Sequence, residues 1–343
     1  MNSAEEPAMD PVMFASVDHR ARGSGFSGVV QIDGRDETLF AGAYGLAHRG
    51  WQISNRLDTR FQIASGAKGF TALAVASLIE EGRLALDSPA RSLLGADLPL
   101  IDDDVTIGHL LAHRSGIGDY LDESGGMDMT AYVMPVPVHR LACAEDYLAV
   151  LDGHPQVFRP GERFAYCNGG YVVLSIIAER AAGQPYHNLV HERVCQPAGL
   201  VDTAFLRSDE SHERVAEHYL TDVGIRTNVL HLPVAGVGDG GITSTAEDLH
   251  AFWRALFAGH IVSSELVAEF TKVHTAEADD AMSYGLGFWL SQDGPEVSLE
   301  GYDAGVSFVS IHDPTTGLTA TVLSNTTDGA WPIAQDVRRA LRP

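Results

Sequence analysis

The chain has 343 residues, with 23 Lys plus Arg against 46 Asp plus Glu, so its formal net charge is −23. A field this acidic repels nucleic-acid phosphates and anionic lipid, which argues against both as partners. An apolar share of 45% with 35 Gly and 15 Pro is ordinary globular composition rather than disorder, and the length allows a sizeable core.

Residues 1–22 are polar and read as an N-terminal extension, frayed or packed late. Met1–Val17 has no basic region and no continuous apolar stretch, so it does not read as a secretory signal. No run of about 18 apolar residues that would cross a membrane occurs anywhere. From Gly28 the pattern becomes strand-like: Val29, Val30 and Ile32, an Asp33-Gly34 turn, then Leu39, Phe40 and Ala41, a hairpin signal. Phe61–Ile63 is a further short strand. Gly66–Glu81 is the strongest helix. Phe70, Leu73, Ala74, Val75, Leu78 and Ile79 leave it little polar face, which predicts burial nearly all round, with Gly82 as its stop.

Residues 105–200 alternate helical patterns with loops, and Val172–Ala182 is a helix ended by Gly183. Residues 117–142 read as one long loop rich in Met, Gly and Pro, and a loop of that length in a compact protein is functional or mobile. Its Met127, Met129, Tyr132 and Met134 either line an adaptable apolar pocket or tuck beneath a surface loop. Ala246–Phe257 is an amphipathic helix. The chain then returns to strands at Gly305–His312 and Leu318–Leu323 and closes on a helix at Gln335–Leu341. The predicted class is α+β: one antiparallel sheet from both termini, flanked by helices, with a helical region inserted. In this reading residues 23–343 form one catalytic domain, its sheet portion about 23–80 and 280–343 and its mainly helical portion about 81–279.

Chemistry enters at Ser65-Gly66-Ala67-Lys68, at the mouth of the apolar helix. A serine hydroxyl needs a neighbour to take its proton, and residues i and i+3 share a helix face. Burial disfavours the charged form of a lysine and suits it to act as a base. The helix N-terminus adds free N–H groups for a developing oxyanion. A second candidate is Tyr166-Cys167-Asn168, which projects a phenol and an amide toward one cleft; the phenol serves as a base or as a proton relay with Lys68. Tyr186-His187-Asn188 repeats the pattern, and the turn before Tyr166 and the helix after it favour the first copy. There is no G-x-S-x-G elbow. His109 and His113 lack the glutamate of a zincin, and Gly238–Gly241 lacks the Lys-Ser/Thr of a phosphate cradle, so neither a metal nor a cofactor is expected. Cys143, Cys167 and Cys195 form no CxxC pair; they read as reduced thiols of a cytoplasmic protein.

Together these motifs resemble the penicillin-binding-protein-like serine hydrolases, the branch of class C β-lactamases, DD-peptidases and S-x-x-K esterases and amidases. Further stretches carry the likeness: Leu84–Pro89, Val105–Gly116 (VTIGHLLAHRSG), Pro197–Thr203 (PAGLVDT) and Gly241–Leu249 (GITSTAEDL), all in the family's order. The resemblance implies an antiparallel sheet and a helical region with the active site between them. It implies that Ser65 attacks a carbonyl, that Lys68 and Tyr166 manage the protons, and that Asn168 holds the lysine and a substrate amide or carbonyl. It also implies an oxyanion hole from the N–H groups of Ser65 and of a third-motif strand.

That third motif departs from the family pattern of K-T-G or H-x-G. The matching stretch reads Gly301-Tyr302-Asp303-Ala304-Gly305, with Tyr302 in the cationic position, Ala304 replacing a glycine, and Gly305 as the expected oxyanion donor. The cation that would hold a substrate carboxylate is gone, and Asp303 either adds negative charge beside the site or faces the surface. The resulting expectation is a serine hydrolase acting on a small-molecule ester or amide whose acyl donor or acceptor is neutral or carries an amine. The alternatives are an acyltransferase with an amine or alcohol acceptor, and a catalytically weak ligand-binding relative. The oligomeric state is not legible.

Overall fold

The computed structural model describes residues 11–123, 126, 128–279 and 282–341; Met127, one of the expected pocket methionines, lies outside them. Among the described residues, eight strands make the main sheet: β1 (Gly28–Asp33), β2 (Thr38–Tyr44), β3 (Thr275–Asp279), β4 (Met282–Tyr284), β5 (Trp289–Ser291), β6 (Val297–Asp303), β7 (Val306–His312) and β8 (Thr319–Ser324). Their order is β2-β1-β8-β7-β6-β5-β4-β3, with every pairing antiparallel. The first and last strands of the chain pair directly, from Gly28 opposite Ser324 to Asp33 opposite Thr319. That pairing closes the sheet from both termini, and the helical segment lies between.

Alternation along β1 distributes its side chains between two cores. Val29 joins the larger one, with α2 (Ala67–Glu80), α3 (Asn168–Ala182) and α4 (Ala246–Phe257). Val30 and Ile32 face the smaller one, with α1 (Pro11–Gly23) and α5 (Ala330–Leu341). The all-round apolar pattern of α2 is matched by burial of every residue from Ala67 to Leu78. Two glycines bring its N-terminus against the sheet. A Cβ on Gly66 would lie 2.5 Å from the Phe308 ring of β7, and one on Gly301 of β6 would lie 2.1 Å from the Ile63 carbonyl oxygen. Neither position has room for a side chain, so the start of α2 seats directly on the β6–β7 hairpin.

One local alternative is decided and two local expectations are revised. The polar N-terminal stretch is not frayed from Pro11 onward, because Phe14, Val17 and Ala21 recur on one helical face and bury against α5 and β2. Helix α3 begins four residues earlier than its apolar pattern, at Asn168, because Cys167 Sγ and a carboxylate described below accept its first N–H groups. Gly305 is not in the strand; it occupies the turn before β7 with φ +75°.

Phe14 is 4% exposed. Phe14→Ala is expected to lower unfolding stability by about 3–5 kcal/mol, the usual loss for a buried phenylalanine. A urea midpoint unchanged by the substitution would show that α1 is detachable.

Candidate active site

Ser65 sits in a short 3-10 turn, Ala64–Gly66, that leads into α2. Ala64 immediately before it has φ +43°, a conformation an alanine rarely adopts, so the turn presents Ser65 at a strained corner. Lys68 follows one turn later and is 1% exposed. Its Nζ lies 2.8 Å from Ser65 Oγ, 2.8 Å from Asn168 Oδ1 and 3.0 Å from the Asp239 carbonyl oxygen. An ammonium fills these three positions as donor; a neutral amine donates to two and accepts the Ser65 proton on its lone pair. The same geometry therefore serves both sides of a proton transfer.

Tyr166 completes the group. It borders the cleft together with Ser65, and Lys68 Nζ stands 4.8 Å from its ring centroid. The ring is stacked on Trp289, 6.0 Å away and 12° from parallel, and lies 4.3 Å from the His113 ring. Burial, and then the Glu123 carboxylate, hold the Tyr166 phenol well above the ordinary tyrosine range. Of its two expected roles, the proton relay is the one this environment favours, since a phenolate there is disfavoured on both counts. The second Y-x-N is elsewhere: Tyr186 is buried behind α2, with its hydroxyl 2.7 Å from Thr71 Oγ1.

Asn168 opens α3. Its Nδ2 donates to Glu123 Oε1 at 2.7 Å and to the Leu121 carbonyl at 3.1 Å, which turns Oδ1 toward Lys68. The N-terminus of α3 is held by Asp119, whose carboxylate accepts the N–H groups of Asn168 at 2.6 Å and Gly169 at 2.8 Å. A carboxylate at a helix start satisfies orphan donors and faces the positive end of the dipole. Burial nevertheless pushes the Asp119 carboxyl up to about 6.

Sequence reasoning did not assign Asp119 or His113 to the site. His113 adopts φ +53° and its Nδ1 accepts the Cys167 N–H at 3.0 Å, fixing the peptide between Tyr166 and Asn168. Burial keeps the imidazole well below its usual range, so it is neutral, with its proton on Nε2, an atom without a partner among the described residues. Considered as half of an i, i+4 metal pair, His113 looked idle; its place inside the VTIGHLLAHRSG stretch was the available signal. His109 has a separate task, its Nδ1 accepting the Thr106 N–H at 3.3 Å. Among the described residues no group of three His, Cys, Asp or Glu is arranged to hold a metal ion.

The third motif lies in a different register from the expected one. Asp303 pairs with Val306 across the two-residue turn Ala304-Gly305, Tyr302 with Ser307, and Gly301 with Phe308. In an antiparallel ladder closed by such a turn, alternate residues point their N–H groups away from the partner strand. Tyr302 is such a residue, and it lines the cleft with Ser65 and Gly301. Gly305 cannot serve as the oxyanion donor, because its N–H is spent on Thr327 Oγ1 at 2.9 Å. Ala304 is buried in the turn, its carbonyl accepting Asn228 Nδ2 at 2.9 Å. Asp303 does not face the outer surface; it borders a cavity with Ser65, and burial together with the Glu123 and Asp239 carboxylates pushes it up to about 7.

Two spaces meet at Ser65. One is an open cleft of about 490 Å³ bordered by Tyr166, Trp289, Phe158 and Trp331. The other is a narrower, partly open cavity of about 50 Å³ bordered by Asn168, Asp239, Asp303, Met129, Tyr132 and Met134. Of the two readings of the 117–142 loop, its described residues follow the pocket wall.

The carboxyls of Asp119 and Asp303 stand above the ordinary value of 3.8. A group raised on folding contributes stability that is present below its unfolded value and lost as pH rises through its folded value. The melting temperature is therefore expected to fall between pH 5 and pH 8. Asp303→Asn should flatten that decline and melt higher than the parent at pH 8; a lower melting temperature there would contradict the electrostatic account.

Comparison with known proteins gives concordant matches. The Beta-lactamase family profile matches residues 7–342. Penicillin-binding protein 4* of Bacillus subtilis is 30% identical over 288 residues, 79% of this chain and 61% of that protein. Esterase EstB of Burkholderia gladioli is 35% identical over 207 residues, 56% of this chain and 50% of that protein. This chain thus spans half to three-fifths of the length of those two relatives. The crystal structure of a penicillin-binding protein from Bacillus halodurans superposes with a TM-score of 0.87 at 32% identity, covering 96% of this chain and 98% of that one.

Proposed function

The chain belongs to the β-lactamase family, and from that membership and the geometry of Ser65 we propose that it is a serine hydrolase working through an acyl-enzyme. The observation that carries the reading is the Ser65 hydroxyl: its Oγ lies 2.8 Å from the buried amine of Lys68 and borders the same cleft as the Tyr166 phenol. Ser65 Oγ attacks the carbonyl carbon of an ester or amide and its proton passes to Lys68 Nζ. The carbonyl oxygen takes up negative charge against the N–H groups of Ser65 and Tyr302. Lys68, through Tyr166, returns the proton to the leaving alcohol or amine as its bond to the carbonyl breaks. Water then attacks the Ser65 ester and loses its proton by the reverse route. An amine or alcohol in place of water makes the same chemistry an acyl transfer, the second outcome this site accommodates.

The substrate reading follows from charge. No Lys or Arg occurs in the third motif, while Glu123, Asp239 and Asp303 border the cavity beside Ser65. A substrate carboxylate there meets like charge and no counter-ion, whereas a neutral group or an ammonium does not. The favoured substrates are small esters or amides without a carboxylate at that end. The esterase among its relatives fits the first of these bond types.

Treatment with a fluorophosphonate should add one adduct to Ser65. Ser65→Ala should abolish both the adduct and ester turnover, and Lys68→Ala should lower kcat/KM by at least about 10³-fold with the fold retained. Near-normal rates in either variant would remove the proposed roles. In pairs of esters differing only in a free carboxylate or its amide, the uncharged member should turn over faster; the reverse order would overturn the charge argument.

A further inference from the structure

We infer that Thr71 and Tyr186 are positioning residues for the proton transfer: they hold the Gly236–Gly241 turn where the Asp239 carbonyl fixes the direction of the Lys68 lone pair. The inference rests on the acyl-enzyme reading, and it gives a task to two stretches the reaction itself does not use, the Gly-rich turn and the second Y-x-N. A neutral lysine amine has two hydrogens and one lone pair. Asn168 Oδ1 and the Asp239 carbonyl oxygen, 2.8 and 3.0 Å from Lys68 Nζ, are acceptors only. They take the two hydrogens, and the lone pair is left facing Ser65 Oγ at 2.8 Å. With the carbonyl displaced, one N–H loses its fixed acceptor, and the amine rotates about its Cε–Nζ bond until the lone pair no longer meets the Ser65 proton.

Side chains from α2 and from the short helix Tyr186–Val190 grip this turn by its carbonyl groups. Thr71 follows Lys68 by three residues, so the two share one face of α2. They bind consecutive carbonyls of the turn, Lys68 that of Asp239 and Thr71 that of Gly238 at 2.6 Å. The place of the first carbonyl therefore depends on the hold on the second. The Thr71 hydroxyl has one hydrogen and two carbonyls in reach, Gly238 at 2.6 Å and Ala67 at 3.1 Å, and the shorter contact takes it. Tyr186 Oη then donates to Thr71 Oγ1 at 2.7 Å, because that oxygen has no second hydrogen to give. Thr71 is 0% and Tyr186 1% exposed, so neither hydroxyl can turn to water instead. The next residue, His187, donates from Nε2 to the Gly236 carbonyl at 2.8 Å. The glycines are needed for the same close fit. A Cβ on Gly238 would lie 1.9 Å from the Tyr171 carbonyl oxygen of α3, and one on Gly236 would lie 2.2 Å from the Gly240 carbonyl oxygen. On the far side, Tyr120 Oη donates to Asp239 Oδ2 at 2.5 Å.

The test uses the full chain and follows, by intact mass, the reaction of Ser65 with an excess of a fluorophosphonate. Varying the reagent gives a limiting rate constant and a half-saturation concentration. Thr71→Val keeps the side chain's shape and removes the hydroxyl. It should lower the limiting rate by about 30-fold and leave the half-saturation concentration within about twofold. Thr71→Ser, which keeps the hydroxyl, should react within about threefold of the parent, and Tyr186→Phe should fall between the two. In a Lys68→Ala background Thr71→Val should cost nothing further, because a residue that acts through Lys68 then has nothing to position. Loss of folded chain lowers the amount of adduct but not its first-order rate constant. A Thr71→Val rate within about threefold of the parent, or the same loss with and without Lys68, would overturn the inference and leave the acyl-enzyme reading standing. Should Thr71→Val fail to fold, Tyr186→Phe is carried through the same cycle and the same two outcomes decide. Absence of any adduct on Ser65 in the parent overturns the acyl-enzyme reading and the inference with it.

Discussion

The structure is organised around one buried amine. Lys68 is shut away from water, and each of the three directions its nitrogen can use ends on an oxygen from a different part of the chain: Ser65 one turn earlier, Asn168 at the head of α3, and the Asp239 backbone. An amine buried without partners is prohibitively unfavourable, so these segments must meet at one point. Gly66 and Gly301 let α2 approach the sheet closely enough to expose Ser65 at its edge. Asp119 and His113 fix the two peptides on either side of Cys167, and so set where Tyr166 and Asn168 stand. Nearly every constraint near the site serves the position of that nitrogen or of the hydroxyl beside it.

Around the amine lies an unusual concentration of carboxyls. Asp119, Asp239 and Asp303 are all held above the ordinary aspartate range, with burial as the first cause in each case. Such groups reduce stability at neutral pH, and sites that must bind or react are where a fold keeps features of that kind. The third motif, Gly301–Gly305, carries no Lys or Arg to offset them.

Much of this was legible in the sequence because it is local. The S-x-x-K spacing places Lys68 on the face of Ser65 through helix geometry alone, and the apolar runs of α2 and α4 needed no tertiary information. A chain with only two lysines keeps one of them at position 68, where an always-charged guanidinium could not exchange a proton. What stayed hidden depends on pairing between distant residues. The β6–β7 register is decided by contacts such as Tyr302 opposite Ser307, and the sequence around Gly301–Gly305 allows more than one turn position. The roles of Asp119 and His113 act across about 50 residues of chain, through hydrogen bonds to the peptides flanking Cys167. Helix α1 looked polar because, among its described side chains, Phe14, Val17 and Ala21 form a narrow inward stripe, too thin to stand out until α5 supplied its partner.

The central claim is that Lys68 works by exchanging a proton with Ser65 rather than by presenting charge to it. The most direct test is the rate of Ser65 acylation by an activated ester in Lys68→Arg, followed by intact mass in a variant shown by circular dichroism to be folded. A guanidinium keeps the positive charge and hydrogen-bonding capacity but cannot give up its proton at neutral pH. The account predicts acylation at least about 10³-fold slower than in the parent, comparable to loss of the lysine altogether. Acylation within about tenfold of the parent rate would show that charge suffices and that the base lies elsewhere.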